Sequence, residues 1–193
     1  VHTMSTERPA HQLNPGEDAP WLTEDERDGW LFLTTVFFSL PGKLEAQLQR
    51  DSGLSFVEYM VLAMLSESPE HALSMSELAR QTSTLAPRLS RVVTRLENSG
   101  FVTRTISSED RRVYICHLEA PGLEKVQQAA PGHVMEVRRQ IFDRLGPRQA
   151  KQLAKIGESV LGDKPSEVVT VKKTLPTDQT LKTGGKSRIQ RKK

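Results

Sequence analysis

The chain has 193 residues, a net charge of +3 and one cysteine, which fits one domain with flexible ends. A single cysteine cannot form an internal disulfide. The most apolar run, residues 31–40, has about half the length of a membrane span, and the N-terminus lacks a signal pattern. We therefore expect a cytoplasmic protein. Residues 163–193 contain nine basic and three acidic residues, a net of +6, which leaves residues 1–162 at −3 and excludes a uniformly basic body.

The first helix is predicted after a flexible arm. Residues 1–20 are polar and proline-containing, which is typical of an arm without a core. A T-x-x-E capping box at Thr23–Glu26 predicts the helix start, and Gly53 its end. Apolar residues surround most of its middle, which indicates a helix that is central or shared with a second subunit. We expect Pro41-Gly42 to kink or interrupt it.

Two further capping boxes, Ser55–Glu58 and Ser74–Glu77, predict a helix to about Ser66 and a short helix with the sequence SELARQT. The loop ESPEHAL separates these two helices. Because three independent helix starts carry the same signal, the first half of the chain is predicted to be all-helical.

Residues 86–100 combine arginines and apolar residues at helical spacing. At about 100° per residue, the apolar side chains share one face and the arginines lie beside it. Asn98-Ser99-Gly100 supplies a left-handed helix end. A helix like this in isolation often has only a solvated charged face, so the neighbouring segments decide its role. The apolar residues are Leu89, Val92, Val93 and Leu96, and the polar ones are Arg88, Ser90, Arg91, Thr94 and Arg95.

The chain then changes to a strand pattern. Residues 101–106 and 113–118 are rich in β-branched and aromatic residues, which predicts a two-stranded hairpin. The connection SSEDRR gives the hairpin an acidic and then arginine-rich tip. Residues 86–112 together contain six arginines and three acidic residues, a local net of +3.

Two helices are predicted after the hairpin. The first follows Pro121-Gly122, and we expect Pro131-Gly132 to interrupt it and Gly146-Pro147 to mark a stop and a restart. The last helix carries an apolar stripe made of Leu153, Ile156, Val160 and Leu161. Residues 163–193 have few apolar residues and are predicted to form a disordered basic tail.

The order of short helix, arginine helix and hairpin predicts a winged helix-turn-helix, a mainly α fold with a small β-hairpin wing. In this arrangement the second helix lies in the major groove of DNA. Arginine binds guanine with two hydrogen bonds, whereas Ser and Thr suit several bases. Some winged helices instead dock proteins, so a protein–protein adaptor remains the alternative. The candidate DNA-binding residues are Ser76, Thr84, Arg88, Ser90, Arg91, Thr94, Arg95, Arg104, Asp110, Arg111 and Arg112.

Three segments, GLSFVEYMVLAMLSE, SELARQTSTLAPRLSRVVTRLENSGFVTR and EDRRVYICHLEAPG, resemble the MarR family of bacterial transcriptional regulators. The resemblance covers about residues 30–161. The family wing pattern is Asp-x-Arg, five residues and Leu-Thr, and here it reads Asp110-Arg111-Arg112, five residues and Leu118-Glu119. Glu119 replaces Thr at the cap of the next helix, where Glu is the weaker cap. The segment AAPGHVMEVRRQIFDRLGPRQAKQL is also similar to members with a Pro-x-His in the long helix.

The resemblance implies a homodimer joined by the first helix and the last two, with Arg112 in the minor groove and Asp110 as its orienting carboxylate. It also implies repression that is relieved by a ligand, for which we expect a small aromatic or phenolic effector, or by cysteine oxidation. The overly apolar first helix and the apolar stripes near both ends independently favour a partner surface. The expected organisation is an arm (1–22), a dimerisation helix (23–53), a winged helix-turn-helix (54–119), C-terminal dimerisation helices (120–162) and a tail (163–193).

Several candidate residues have alternative roles. Arg95 could pair with Glu97 or Asp110 instead of DNA, and Arg104 could be a phosphate contact or a simple surface charge. Trp30, Phe37, Tyr59 and His133 could line an effector cavity, although residues at helical spacing are more often core.

Redox, metal and enzyme chemistry are disfavoured. We expect Cys116 to be a packed residue of an apolar strand, because a redox sensor needs an exposed thiolate. His117 and His133 lack metal-ligand spacing, so packed or capping roles are favoured. The chain has no Gly-rich phosphate loop, G-x-S-x-G motif or cluster of carboxylates, which argues against an enzyme and against any cofactor or metal.

Overall fold

The computed structural model describes residues 21–161. The predicted arm up to residue 20 and the predicted basic tail lie outside the described residues. The chain divides after Lys43 into two compact units, which are described separately below. The elements are α1 (Glu24–Ser52), α2 (Phe56–Glu67), β1 (Ala72–Ser74), α3 (Met75–Gln81), α4 (Ala86–Asn98), β2 (Val102–Ile106), β3 (Tyr114–Leu118), α5 (Ala120–Gln140) and α6 (Pro147–Leu161), with 3₁₀ turns at Pro69–His71 and Phe142–Arg144.

The three predicted helix starts are confirmed. In the first box, the Thr23 N–H donates to Glu26 Oε2 at 2.7 Å and the Glu26 N–H donates to Thr23 Oγ1 at 3.3 Å. The second box, at the start of α2, is reciprocal in the same way. At α3, Ser74 Oγ accepts from the Glu77 N–H at 3.2 Å, while the Glu77 carboxylate accepts from other side chains of its own helix.

The predicted interruption at Pro131 is wrong, and of the two outcomes expected at Pro41, a kink or an interruption, the structure excludes the interruption. Helix α1 continues through Pro41, and α5 continues through Pro131. A proline inside a helix removes one backbone hydrogen bond and displaces one carbonyl. Both prolines are exposed, so the displaced carbonyl can bind water while the rest of the helix persists. The long helix does end earlier than predicted, at Gln140, and a 3₁₀ turn precedes the restart at Pro147.

The wing is a three-stranded antiparallel sheet of order β1-β3-β2, not only the predicted two-stranded hairpin. Strand β1 pairs with β3 from Ala72↔His117 to Ser74↔Ile115. The expectation of an all-helical first half is therefore wrong at this strand. Its three residues are too few to show an alternating pattern, and pairing with a distant strand determines their conformation.

The core of the second unit lies between α2, α4 and the sheet. Val61, Leu62 and Leu65 of α2 are fully buried, together with Val102 and Cys116 of the sheet. All four predicted apolar residues of α4 are also buried, which fixes the direction of the opposite face of the helix. No helix within residues 21–161 is long and apolar enough to cross a bilayer.

Candidate DNA-binding surface

The polar face of α4 is exposed. Because Leu89, Val92, Val93 and Leu96 pack into the core, Arg88, Ser90, Arg91, Thr94 and Arg95 face solvent. Gly100 has a φ of +71° and ends the helix as predicted. Burial of the apolar stripe of α4 thus leaves these five polar side chains together on one exposed surface.

Two arginines of this face, Arg88 and Arg91, have no carboxylate partner within residues 21–161. The only hydrogen bond seen for either guanidinium in that range is a long one, 3.4 Å from Arg91 Nε to the Pro87 carbonyl. These two side chains therefore retain their donors for an external acceptor.

Arg95 has an intramolecular partner. Its Nε donates to Glu58 Oε1 at 2.8 Å, and Glu58 Oε2 accepts from the backbone N–H and hydroxyl of Ser55, each at 2.8 Å. Partial burial opposes ionisation of Glu58, but the hydrogen bonds from Ser55 and Arg95 outweigh it and lower the pKa of this carboxyl. Arg95 thus pairs with a carboxylate as one reading of the sequence anticipated, but the partner is Glu58 and not Glu97 or Asp110.

Arg104 of β2 binds α4. Its Nη2 donates to Glu97 Oε2 at 2.5 Å and to Thr94 Oγ1 at 3.2 Å, and its Nε lies 3.2 Å from Glu97 Oε2. The hydrogen bond lowers the pKa of Glu97 and raises that of Arg104. The Arg104 side chain is only 25% exposed. This arginine therefore joins β2 to α4, and it is less exposed than a side chain that contacts phosphate would be.

The tip of the wing is ordered by Asp110. Its Oδ1 accepts from the backbone N–H of Arg112 at 2.9 Å, and its carbonyl accepts from the N–H of Val113 at 2.9 Å. The aspartate thus orients the turn through the backbone. Arg111 and Arg112 are exposed, and within residues 21–161 neither has a carboxylate partner.

The other candidate residues are less free. Thr94 Oγ1 donates to the Ser90 carbonyl at 2.9 Å, and Thr84 Oγ1 donates to the Thr82 carbonyl at 3.0 Å. Ser76 is exposed, with its hydroxyl 3.0 Å from the Ser74 hydroxyl. Hydrogen bonds to backbone carbonyls thus occupy the hydroxyl protons of both threonines, and Thr94 Oγ1 also accepts from Arg104 Nη2.

Comparisons with known proteins identify the family. The family model described as MarR family matches residues 52–113. The structure is similar to AbsC, a MarR family transcriptional regulator from Streptomyces coelicolor, with a TM-score of 0.67 and 37% identity over 75% of this chain and 100% of that chain. It is also similar to Sco3205, another regulator of this family and organism, solved in complex with DNA, with a TM-score of 0.70 and 40% identity over 74% and 90% of the two chains. The chain belongs to the MarR family.

Curated HTH-type transcriptional regulators match over shorter segments. The regulator PapX of Escherichia coli is 36% identical over 76 residues, which are 39% of this chain and 46% of that protein. The repressor YetL of Bacillus subtilis is 29% identical over 85 residues, 44% of this chain and 51% of that protein. The matched segments thus span about half the length of these curated relatives.

One departure from the MarR wing pattern has a structural outcome. Glu119 is the N-cap residue of α5, but its side chain makes no capping hydrogen bond. The Glu119 carboxylate instead accepts from Thr103 Oγ1 at 2.7 Å, so it links α5 to β2. The weak cap that the sequence predicted at this position is confirmed.

The four candidate effector residues fall in both units. Trp30 and Phe37 lie in the first unit and are exposed. Tyr59 and His133 lie in the second and are in contact, with ring centroids 4.4 Å apart. Both are buried, and Tyr59 belongs to the core, where burial raises its pKa to about 12. Burial lowers the pKa of His133, and its Nδ1 has no hydrogen-bond partner within residues 21–161.

Cys116 and His117 both make contacts within the fold. Cys116 is fully buried, as predicted, and burial raises the pKa of its thiol to about 12. His117 Nε2 lies 2.8 Å from Thr105 Oγ1 across the wing. Within residues 21–161, no group of three His, Cys, Asp or Glu side chains is placed to hold a metal ion.

Sequence reasoning missed three residues of this surface. Glu58 was predicted only as a helix cap, and Glu97 only as a partner for Arg95. No signal in the sequence indicates that Glu58 also accepts from a residue 37 positions away. Leu85, directly before α4, was not singled out, although an apolar residue at a helix N-cap is an unusual choice that could have marked it.

Proposed function

We propose that this protein is a DNA-binding transcriptional regulator that acts as a repressor and binds a pseudo-palindromic operator as a homodimer. The observation that carries the proposal is the exposed pair Arg88 and Arg91 on a helix whose other face is locked into the core. Free guanidinium groups at this position suit bidentate binding to guanine. The similarity to a DNA-bound regulator at 40% identity supports the same role.

The six arginines among the candidate DNA-binding residues divide into three groups under this proposal. Arg88 and Arg91 read bases, with Ser90 as a short neighbour that permits close approach. Arg111 and Arg112 reach the flanking minor groove, where a narrow A·T-rich groove concentrates negative potential. Arg95 and Arg104 act mainly through their partners Glu58 and Glu97, and they position the other two groups.

The homodimer is supported by unpartnered apolar surface on each unit. In the first unit, α1 exposes seven large apolar side chains between residues 30 and 38: Trp30, Leu31, Phe32, Leu33, Val36, Phe37 and Phe38. In the second unit, the predicted stripe Leu153, Ile156, Val160 and Leu161 of α6 is exposed along its whole length. Contiguous apolar surface of this kind marks an interaction site. An isologous two-fold dimer would present two recognition helices to one face of a duplex, with half-site centres about one helical turn apart.

Selection of bound fragments from a genomic or randomised DNA library tests the proposal. We expect an inverted repeat to be enriched and bound far more tightly than a scrambled duplex of equal length. Affinity should fall steeply as the salt concentration rises, because bound phosphates release counterions. If the full chain shows no salt-dependent binding to any duplex, the protein–protein adaptor becomes the better interpretation.

A further inference from the structure

The start of the recognition helix exposes three consecutive apolar residues. Leu85, Ala86 and Pro87 are all exposed, and Leu85 is 80% exposed. Single exposed apolar residues are common, but a run of three on a face used for polar contacts is unusual unless it binds something. Arg88 follows directly, so the run lies beside the first arginine of the face.

Leu85 is also placed where an apolar residue is unfavourable. It is the N-cap residue of α4, with extended backbone (φ −60°, ψ 137°) and no side-chain hydrogen bond to the helix. Ser, Thr, Asp and Asn are preferred there because their oxygens bind the free N–H groups. Within residues 21–161, the Leu85 side chain thus contributes neither a capping hydrogen bond nor buried core surface. These two observations point to a contact outside the chain.

We propose that Leu85 reads thymine, by packing on the C5-methyl group in the major groove. This inference rests on the proposed function. In a helix-turn-helix, the N-terminal residues of the second helix contact base edges, and Leu85 begins that helix. The thymine methyl is the apolar group that base edges present in the major groove, so it is the complement of an exposed leucine.

The position of Arg88 fixes where the thymine lies. The Arg88 N–H donates to the Leu85 carbonyl at 2.9 Å, so the two residues are one helical turn apart. Three residues rise by about 4.5 Å along a helix, and base pairs along a duplex are about 3.4 Å apart. With α4 lying along the major groove, the thymine read by Leu85 is expected within about two base pairs of the base read by Arg88, in both half-sites of the operator.

Replacement of individual thymines by deoxyuridine tests this inference, because it removes only the methyl group. The selected operator duplex and its single deoxyuridine variants are titrated with the full chain, with Leu85→Ser and with Leu85→Met. We expect the parent to lose about four-fold in affinity at one thymine per half-site, the equilibrium equivalent of one buried methyl. Leu85→Met should retain most of that sensitivity, whereas Leu85→Ser should show none. Because serine is a better N-cap, Leu85→Ser should also fold at least as well as the parent.

The control is Arg111→Ala, which should weaken binding to the thymine and deoxyuridine duplexes equally. Three results would overturn the inference: equal parental binding to all deoxyuridine duplexes, an unchanged thymine preference in Leu85→Ser, or a selected half-site without thymine near the base that Arg88 reads. Failure of the full chain to select any operator would overturn the proposed function itself, so the two failures are distinguishable.

Discussion

Loss of the Arg104–Glu97 pair should weaken operator binding without loss of a phosphate contact. The pair joins β2 to α4 through hydrogen bonds of 2.5 and 3.2 Å, with the side chains 25% and 32% exposed. A pair of this exposure stabilises its geometry by about 1 kcal/mol at most. If that energy holds the wing against α4, either single substitution should lower operator affinity by up to about five-fold for each of the two half-sites.

The direction in which each substitution changes operator affinity distinguishes a positioning role of the pair from a direct contact with DNA. Removal of a negative charge beside DNA by Glu97→Gln should increase affinity if electrostatics alone applies. We instead expect both Glu97→Gln and Arg104→Ala to lower it, and the double variant to lose little more than either single variant. The salt dependence provides a second test. The slope of log K against log salt is negative, and loss of a phosphate contact lowers its magnitude by about 0.9 per site, or about 1.8 per dimer.

The assay is equilibrium fluorescence anisotropy of the full-length variants on the selected operator and on a scrambled duplex, at several salt concentrations. Arg111→Ala is the matched control, because Arg111 is exposed and has no carboxylate partner within residues 21–161. Arg111→Ala should reduce the magnitude of the slope of log K against log salt, whereas Arg104→Ala should leave this slope unchanged. A fall in slope for Arg104→Ala equal to that of the control, together with tighter binding by Glu97→Gln, would refute the positioning role.

Four other predictions can be tested with the same protein. Arg88→Ala or Arg91→Ala should cost about 1–3 kcal/mol of binding free energy on the operator and relax the preference at one base pair per half-site. Arg112→Ala should weaken binding most on operators with A·T-rich flanks, and Arg112→Lys should recover only part of the lost affinity. Sedimentation equilibrium at micromolar concentration should show a dimer, and Phe37→Glu should shift it toward monomer; a parental monomer would count against the dimer. Removal of residues 163–193, which carry a net of +6, should leave the dimer intact and weaken binding to scrambled DNA at low salt; unchanged low-salt affinity would contradict the role of the tail. Cys116 should resist thiol reagents at pH 8 in the folded protein, because its pKa is raised to about 12, and react only when urea unfolds the chain; rapid labelling of the native state would contradict its burial.

Local patterns in the sequence predicted the helix starts and the buried side of α4. A capping box involves residues only three positions apart, and an apolar stripe needs only regular spacing, so both can be recognised without a structure. The prolines show the limit of such rules. Pro41 and Pro131 carry the same local signal as a helix break, yet their exposed positions allow the helices to continue.

The roles of the individual arginines depended on contacts between distant residues. Arg88 and Arg95 look alike in the sequence, since both lie on the polar side of one helix. Only the fold brings Arg95 to Glu58, 37 positions away, and leaves Arg88 without a carboxylate within residues 21–161. The same holds for β1, whose three residues form a strand only because β3 lies beside them.

The double use of Glu58 has a genetic consequence. This one carboxylate caps α2 through Ser55 and holds Arg95 on the recognition helix. An unbiased screen for loss of operator binding should therefore recover substitutions at Glu58 as readily as substitutions of the arginines. Without a structure, an acidic residue in such a set would be difficult to interpret, because a carboxylate repels the phosphate backbone. Substitutions that reduce operator binding would thus be found both at residues that position the arginines and at residues that contact DNA.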